Sequence, residues 1–279
     1  SMNVLIRHGI SFDWVDTRKI ENVENAIKQN TKLIHVETPT NPMLEICDLE
    51  KISLLCKKRN ILFSVDNTFM SPYGQRPIDH GADVVMQSST KSLSGHSDLL
   101  GGVLTTNDKE LDEKLHFILK ATGAVPSPFD NWILLRSTKT LSLRYQRSCD
   151  NAMKIAEWLN KKNHTKKLLY PGLKSHPQFS LAAKQQLNPN GERIFGNMIS
   201  FDIGSEEKRD NFLERLEIFS LAESLGGVES LVCVPYDMTH AAVPEESKLE
   251  MGITKSLIRL SIGIEDCSDL IDDLNSSFS

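Results

Sequence analysis

A single lysine, Lys91, stands among small hydroxyl residues directly after an apolar run, in the segment VVMQSSTKSLSGHSDLLGG at residues 84–102. A lysine amine becomes a nucleophile toward a carbonyl carbon when burial or a nearby cation lowers its pKa. The residues before it, Ser88, Ser89 and Thr90, offer hydroxyl and backbone N–H groups that suit a phosphate. The pattern therefore favours capture of a phosphorylated carbonyl compound over the alternative of an ordinary solvated lysine.

Polar pairs also follow two other apolar runs of the first half of the chain, Glu37-Thr38 and Asp66-Asn67. In an open α/β sheet the carboxyl ends of the strands form the ligand-binding edge. We therefore expect these pairs and the lysine segment to lie at one edge. A carboxylate at Asp66 would suit a pyridinium nitrogen. Pyridoxal phosphate needs such an acid, together with a lysine that binds its aldehyde and a phosphate site.

The elements that must position these residues alternate between strand-like and helix-like patterns. Short apolar runs separated by helical periodicity predict βαβ units and a mostly parallel sheet. The predicted strands cover residues 11–15, 33–37, 61–65, 83–87 and 99–105, and the predicted helices cover 20–29 and 49–59.

The second half of the chain has a different pattern of predicted elements. Residues 129–158 have one long helical pattern, which we expect to bridge two domains. Mixed elements follow, with strands predicted at 197–203 and 257–262 and helices at 208–216 and 266–278. The patterns thus predict a large domain over residues 1–140 and a smaller α+β domain over residues 141–279.

Composition excludes several classes of protein. The chain has 279 residues and a net charge of -5, which argues against a nucleic-acid surface. No apolar run approaches the roughly 18 residues of a membrane span, and the N-terminal residues lack a signal-peptide pattern. The five cysteines are scattered, without zinc spacing. We therefore expect no membrane association, no metal site and a reducing, cytoplasmic location.

Eight segments along the chain carry a recognisable pattern: ETPTNP (37–42), VDNTFMSPY (65–73), SSTKSLSGHSD (88–98), GAVPSPFD (123–130), YPGLKSHPQ (170–178), LAESLGGVESL (221–231), MTHA (238–241) and LIRLSIGIED (257–266). In this order they resemble the Cys/Met-metabolism family of pyridoxal-phosphate enzymes. The resemblance implies fold type I, the aspartate-aminotransferase-like α/β architecture, with a mostly parallel large domain and a smaller α+β C-terminal domain.

The resemblance implies a role for each residue of the cofactor site. Lys91 would bind the cofactor's aldehyde carbon and later act as acid and base. Asp66 would keep the pyridine nitrogen protonated. Ser88 and Thr90 would bind the phosphate, and Asn41 would sit by the phenolic oxygen.

It also implies residues that contact the substrate. Arg259 would grip the substrate carboxylate through a bidentate guanidinium, with Asn41 beside it. Ser230 would lie next to Lys91 and steer its ammonium group. Glu229 would lie at the mouth of the substrate pocket, where it would meet the distal amino group of cystathionine.

These roles imply a carbon–sulfur lyase for thioether amino acids. The expected reaction is the α,γ-elimination of L-cystathionine to cysteine, 2-oxobutanoate and ammonia, with hydrogen sulfide as a side product. A γ-synthase, a methionine γ-lyase or a β-lyase remains an alternative within the family. The family's usual assembly is a homotetramer of two dimers. Family members carry a further N-terminal region with part of the cofactor site, so a catalytically silent fragment is the third alternative.

Overall fold

The computed structural model describes residues 2–162 and 164–278. Within these ranges a four-stranded sheet is built from the first half of the chain. Its strands β1, β2 and β3 are parallel, and β4 is antiparallel to β3. The four strands, in both chain and spatial order, are β1 (Leu33–Glu37), β2 (Leu62–Asp66), β3 (Val84–Ser88) and β4 (Gly102–Thr105).

An apolar cluster beneath this sheet fixes the register of the strands. Val36, Val65 and Val85 come from three successive strands, and all are buried. Helix α3 (Leu49–Arg59) packs on them, and the side chain of Asp48 caps it by accepting the Lys51 N–H at 3.1 Å. Because the parallel strands share this core, their carboxyl ends meet at one edge, as the sequence predicts.

A second sheet of five strands forms in the C-terminal half. Its spatial order is β5-β6-β9-β8-β7, and every pairing except β7 with β8 is antiparallel. All residues of β6 and β9 are buried, so these two strands form the centre of the sheet. The strands are β5 (Lys167–Leu169), β6 (Met198–Asp202), β7 (Ser220–Leu221), β8 (Leu231–Cys233) and β9 (Leu257–Ser261).

Helices cover the two sheets and connect them. The predicted helix at residues 49–59 is confirmed as α3, and those at 20–29, 208–216 and 266–278 are confirmed with shifted ends. Besides α3, the α-helices are α1 (Met2–Leu5), α2 (Ile20–Ala26), α4 (Ser71–Gly74), α5 (Lys109–Thr122), α6 (Pro128–Thr138), α7 (Leu141–Lys162), α8 (Phe179–Gln185), α9 (Glu206–Arg215), α10 (Glu245–Glu250) and α11 (Cys267–Ser277).

The helical pattern at 129–158 is two helices rather than one. Helix α6 ends at Thr138 and α7 begins at Leu141. The hydroxyl of Thr138 donates to the Leu135 carbonyl at 3.0 Å, and that of Thr140 donates to the Ser137 carbonyl at 3.2 Å. Such local bonds compete with the helical ladder, which is why a Ser/Thr cluster interrupts an otherwise continuous pattern.

The strand predicted at residues 11–15 is wrong. This segment is irregular and pairs with none of the described strands, and the charges in it and next to it form side-chain ion pairs. Asp13 forms an ion pair with Lys28 at 2.7 Å, and Asp16 forms one with Arg18 at 2.7 Å. The alternation of Ser11, Phe12 and Asp13 therefore reflects an exposed segment.

Side chains of the C-terminal half hold the loop that follows β1. Gln178 accepts the Ile46 N–H at 2.8 Å, and Ser200 donates to the Pro42 carbonyl at 2.6 Å. These bonds hold the five-stranded sheet and the segment before α8 against the edge where the polar residues lie. The division into residues 1–140 and 141–279 stays a prediction. None of the helices in the described ranges combines the length and apolarity that a bilayer crossing requires.

Candidate active site

Lys91 lies on a short π-helical turn, Ser89–Leu93, that begins where β3 ends. Its own backbone leaves the helical region, with φ -89° and ψ -134°, so the turn is kinked at the lysine. The Gly95 N–H donates to the Lys91 carbonyl at 2.7 Å and closes the turn behind it. The kink places the lysine at the carboxyl edge of the four-stranded sheet.

The amine of Lys91 is partly buried and touches a hydroxyl. Its Nζ lies 3.4 Å from Oγ of Ser224. Burial lowers the pKa of Lys91, and the positive charge of Arg259 lowers it further. Both effects increase the neutral fraction of the amine, which is the form that attacks a carbonyl carbon.

A cavity of about 340 Å³ opens in front of this amine. It is lined by polar groups from three successive strand ends and by a glycine pair at the start of β4. The lining residues that bear on its chemistry are Glu37, Asn41, Asp66, Ser88, Lys91 and Gly101–Gly102. The sequence prediction that these strand ends form one site is therefore supported by the geometry.

Thr68 connects two of the strand ends. Its backbone N–H donates to Oδ1 of Asp66 at 2.9 Å, and its Oγ1 accepts the backbone N–H of Ser88 at 2.9 Å. Asp66 is thus oriented by the turn that follows its own strand. The same threonine fixes the residue that leads into the Lys91 turn.

The two predicted phosphate ligands have different surroundings. Ser88 lines the cavity. The Thr90 hydroxyl accepts the Gly101 N–H at 2.9 Å and lies 3.4 Å from the Gly101 carbonyl. Thr90 therefore orients the glycine that lines the cavity, and a direct phosphate contact would require its O–H to turn from the Gly101 carbonyl to a phosphate oxygen while it still accepts the Gly101 N–H.

Arg259 is a buried cation at the side of this site, with 1% of its surface exposed. Its Nη1 donates to Oδ1 of the cavity-lining Asn41 at 2.9 Å. Its Nη2 donates to the carbonyls of Glu223 at 2.9 Å and Ser224 at 3.2 Å. Its buried Nε has no hydrogen-bond partner. A buried donor left unpaired costs about 1–3 kcal/mol, a cost that a carboxylate would relieve if it reached this nitrogen.

Glu37 adds a second carboxyl group to the cavity. Burial raises its pKa to about 7, and the negative charge of Asp66 raises it too. A backbone hydrogen bond from Asn41 and the positive charge of Arg259 act in the opposite direction. Glu37 thus titrates near neutral pH, next to a carboxylate on the neighbouring strand.

These groups fit a phosphorylated pyridine aldehyde. Lys91 supplies the amine, Asp66 a carboxylate for the ring nitrogen, and Ser88 with the glycine pair a polar cradle. The unpaired Nε of Arg259 fits the carboxylate of an amino acid bound beside it. In the part of the chain that the structure describes, no three His, Cys, Asp or Glu side chains are grouped as metal ligands.

The family model described as "Cys/Met metabolism PLP-dependent enzyme" matches residues 2–279. The chain belongs to this family. It is 51% identical over 274 residues to the cystathionine gamma-lyase of Bacillus subtilis (strain 168), which covers 98% of this chain and 71% of that protein. It is 46% identical to the cystathionine beta-lyase of Lactococcus lactis subsp. cremoris (strain MG1363), over 98% of this chain and 70% of that protein.

A solved structure of the same architecture is similar over almost the whole chain. It is the crystal structure of cystathionine gamma-lyase from Lactobacillus plantarum complexed with L-serine, with a TM-score of 0.94 and 42% identity. The match covers 99% of this chain and 71% of that chain. As a member of the Cys/Met metabolism family, the chain is a PLP-dependent enzyme of fold type I, which confirms the predicted architecture and cofactor.

Two of the predicted substrate-site residues lie elsewhere in this family member. The Ser230 hydroxyl donates to Oε2 of Glu265 at 2.9 Å and accepts the Gly263 N–H at 2.9 Å, so Ser230 is not the serine beside Lys91. Glu229 accepts the Ser97 hydroxyl at 2.6 Å and does not line the described cavity. The segment 228–230 packs against 263–265, where the Ile264 N–H donates to the Val228 carbonyl at 2.9 Å.

Ser224, Glu223 and Thr68 are the site residues that sequence reasoning missed. All three lie in segments that carry the family resemblance, LAESLGGVESL and VDNTFMSPY. The first segment contains two Glu-Ser pairs, and only the path of the chain decides which pair meets Lys91. The signal that distinguishes them is the glycine pair directly after Ser224 and Leu225, which lets the backbone approach the lysine turn closely.

Proposed function

We propose that the chain catalyses the PLP-dependent α,γ-elimination of L-cystathionine to cysteine, 2-oxobutanoate and ammonia, with release of hydrogen sulfide from cysteine as a side reaction. The observation that carries this proposal is the shared cavity of Lys91 and Asp66, next to the unpaired Nε of Arg259. The similarity to the gamma-lyase of Bacillus subtilis (strain 168) supports it.

Each residue has a task that follows from its surroundings. When bound, pyridoxal phosphate supplies an electron-accepting ring attached to the substrate's amino nitrogen. Lys91, with its lowered pKa, takes the proton from Cα of the substrate and moves protons at Cβ. Asp66 keeps a proton on the ring nitrogen, and Arg259 orients the substrate carboxylate while Asn41 holds Arg259 in place.

Recognition of the second amino group of cystathionine calls for another carboxylate. We assign this role to Glu223 in place of Glu229. Glu223 has an exposed side chain on the residue directly before Ser224, and its carbonyl binds the Arg259 guanidinium. Glu223→Gln should raise the KM for cystathionine about tenfold, by loss of one ion pair. Glu229→Gln is the matched control, and an equal effect of both variants would contradict the assignment.

Cystathionine beta-lyase activity is the second candidate, because the Lactococcus lactis enzyme of that name is 46% identical over the same span. The two reactions cleave different C–S bonds of one substrate. Cleavage at the γ-carbon gives cysteine and 2-oxobutanoate, whereas cleavage at the β-carbon gives homocysteine and pyruvate. Identification of the oxo acid therefore distinguishes them. The γ-synthase and methionine γ-lyase alternatives are separated by assays with an O-acylated homoserine and with methionine.

The test combines a cofactor titration with a product assay. Purified chain is titrated with pyridoxal phosphate, and a visible absorbance band that requires Lys91 is expected. Lys91→Ala should lose the band and all turnover, while the exposed Lys57→Ala should keep both. A wild-type chain without a band or oxo acid would support the silent-fragment alternative instead. Full activity in Lys91→Ala would overturn the proposed mechanism.

We also propose that the chain acts as a homo-oligomer, as a dimer of dimers, in a reducing cytoplasm. Helices α5 and α6 support the first part, because Phe117, Trp132 and Leu135 are each more than half exposed. All five cysteines are free thiols, which supports the second. Sedimentation velocity of the chain should give a dimer or tetramer, and Trp132→Glu should shift it toward the monomer. A monomeric wild type would contradict the assembly.

A further inference from the structure

We propose that Arg144 is a positioning residue for Lys91, holding the two peptide groups that follow the lysine so that the amine faces the cavity. The inference rests on the proposed role of Lys91 and adds a residue of α7 to that site. Arg144 lies 53 positions along the chain from Lys91, outside the segments that carry the family resemblance.

The contact is made through the backbone of the lysine turn. Nη1 of Arg144 donates to the Ser92 carbonyl at 2.9 Å, and Nη2 donates to the Leu93 carbonyl at 3.2 Å. These are the two residues directly after Lys91. Only 9% of the arginine surface is exposed, so the bonds form in a largely dry environment, where they are stronger than in water.

Two more bonds fix the guanidinium plane from the other side. Nη2 also donates to the Ser137 carbonyl at 3.0 Å, at the end of α6, and Nε donates to Oγ1 of Thr140 at 3.1 Å. All four acceptors are neutral oxygen atoms. The buried charge is therefore stabilised by the carbonyl groups it orders, and the arginine joins α6 and α7 to the lysine turn.

The lysine turn is shaped to admit this guanidinium. Gly95 has φ +74°, and a Cβ added there would lie 2.0 Å from Nη1 of Arg144. Any larger residue at this position would displace the arginine. The same turn has its kink at Lys91, where the backbone departs from helical angles. A planar, five-donor group can hold two adjacent carbonyls in such a turn, whereas a lysine ammonium cannot reproduce the fork.

A purely structural role for Arg144 would change stability without changing the chemistry of Lys91. The experiment therefore measures both on the full chain. Arg144→Lys and the control Arg209→Lys are compared with wild type. Arg209 is similarly buried, donates to the Lys255 carbonyl at 2.6 Å, and lies on helix α9 of the C-terminal half. Melting temperature, the dissociation constant of pyridoxal phosphate and the pH dependence of its capture rate are recorded for each.

We expect Arg144→Lys to raise the dissociation constant about tenfold and to shift the pH dependence of capture to higher pH. The shift follows because Lys91, once it leaves its buried position, regains an ordinary pKa. Arg209→Lys should lower only the melting temperature. Thr140→Val, at an exposed position, should cause a smaller change in the same direction as Arg144→Lys, and Thr140→Ser should restore wild-type values.

The inference would be overturned if wild type and Arg144→Lys had the same dissociation constant for pyridoxal phosphate and the same pH dependence of its capture rate. It would also be overturned if Arg209→Lys shifted both quantities as much as Arg144→Lys does. If Arg144→Lys does not fold, the Thr140 pair decides, and a Thr140→Val chain identical to wild type in both readouts overturns the inference. A wild type without a Lys91-dependent band would overturn the proposed function, and the inference with it. A wild type with that band and an unaffected Arg144→Lys would overturn the inference alone.

Discussion

Glu37 and Asp66 lie directly opposite each other, as register partners at the carboxyl ends of the adjacent parallel strands β1 and β2. Both line the cavity in front of Lys91. Burial disfavours the ionised form of Glu37, and the negative charge of Asp66 adds to this effect on its pKa. The result is a pKa of about 7 for Glu37, so this carboxyl group is mostly protonated below neutral pH and ionises as the pH rises through 7.

The raised pKa of Glu37 predicts that the free energy of unfolding falls as the pH rises. Glu37 has a folded-state pKa of about 7 against an ordinary value of 4.5, so the folded chain binds more protons than the unfolded chain between these values. The free energy of unfolding should therefore fall by up to about 3 kcal/mol from pH 4.5 to pH 7 through this group. Glu37→Gln, which stays uncharged, should remove that part of the slope.

Urea unfolding between pH 5 and pH 8 checks this prediction. The stability difference between Glu37→Gln and wild type should grow with pH, in favour of the variant. Glu113→Gln, on the exposed face of α5, is the control and should run parallel to wild type. If the stability of Glu37→Gln also ran parallel to that of the wild type, Glu37 would be ionised throughout the range from pH 5 to pH 8.

The two serines of the LAESLGGVESL segment offer a second prediction. Ser224 touches Nζ of Lys91, whereas Ser230 is bonded to Glu265 and Gly263 in a buried network. Ser230→Ala should lower the free energy of unfolding by about 1–3 kcal/mol, because it leaves buried partners unpaired. Ser224→Ala should change stability by less than about 1 kcal/mol and alter the rate at which Lys91 captures pyridoxal phosphate.

Denaturant unfolding and stopped-flow absorbance separate these effects. The expected pattern is a stability change without a kinetic change for Ser230→Ala, and the reverse for Ser224→Ala. A kinetic effect confined to Ser230→Ala would restore the original assignment from the sequence.

Arg259 gives a third prediction, on substrate affinity. Arg259→Lys keeps the charge but loses the planar fork that binds a carboxylate through two N–H groups. The KM for cystathionine should rise about 10- to 100-fold, with a smaller change in kcat, because the carboxylate contact exists before and during the reaction. Steady-state assays of released oxo acid check this, and Arg209→Lys again controls for loss of a buried arginine. An unchanged KM would remove Arg259 from the substrate site.

Much of the site could be predicted from the sequence because of one rule of α/β folds. Residues at the carboxyl ends of parallel strands must meet, so Asp66, Ser88 and Lys91 converge once their strands are identified. The strands themselves were readable because buried β-branched residues and short apolar runs distinguish them from amphipathic helices. The local sequence pattern was sufficient to predict the site residues that lie at the ends of strands, because the strand itself places them in the site.

The rest depended on loop paths and long-range contacts. The choice between Ser224 and Ser230 is made by the turn at Gly226, whose positive φ no periodicity encodes. The contact of Arg144 with the lysine turn depends on where α7 begins. The helical pattern at 129–158 is continuous, so the sequence did not indicate that beginning. The segment at 11–15 alternates like a strand, but strand formation needs a partner strand, and none of the described strands lies beside it.

Gly226 provides the fourth prediction, because it sets how closely this loop approaches the lysine turn. Its φ is +76°, and an added Cβ would lie 2.9 Å from the Ser92 nitrogen and 3.3 Å from Cβ of Lys91. Gly191 has nearly the same φ, +79°, but open space around it. Alanine at either position incurs the left-handed backbone cost of about 1–2 kcal/mol.

Only Gly226→Ala should also push the backbone of the lysine turn. We therefore expect Gly191→Ala to lose about 1 kcal/mol of stability with unchanged cofactor affinity. Gly226→Ala should lose more stability and weaken pyridoxal phosphate binding at least tenfold, since the displaced neighbour is backbone rather than a flexible side chain. Denaturant unfolding and absorbance titration of both variants measure the difference. Equal affinity in the two variants would mean that the lysine turn tolerates a shift of this loop, and that Ser224 reaches Lys91 without the close approach at Gly226.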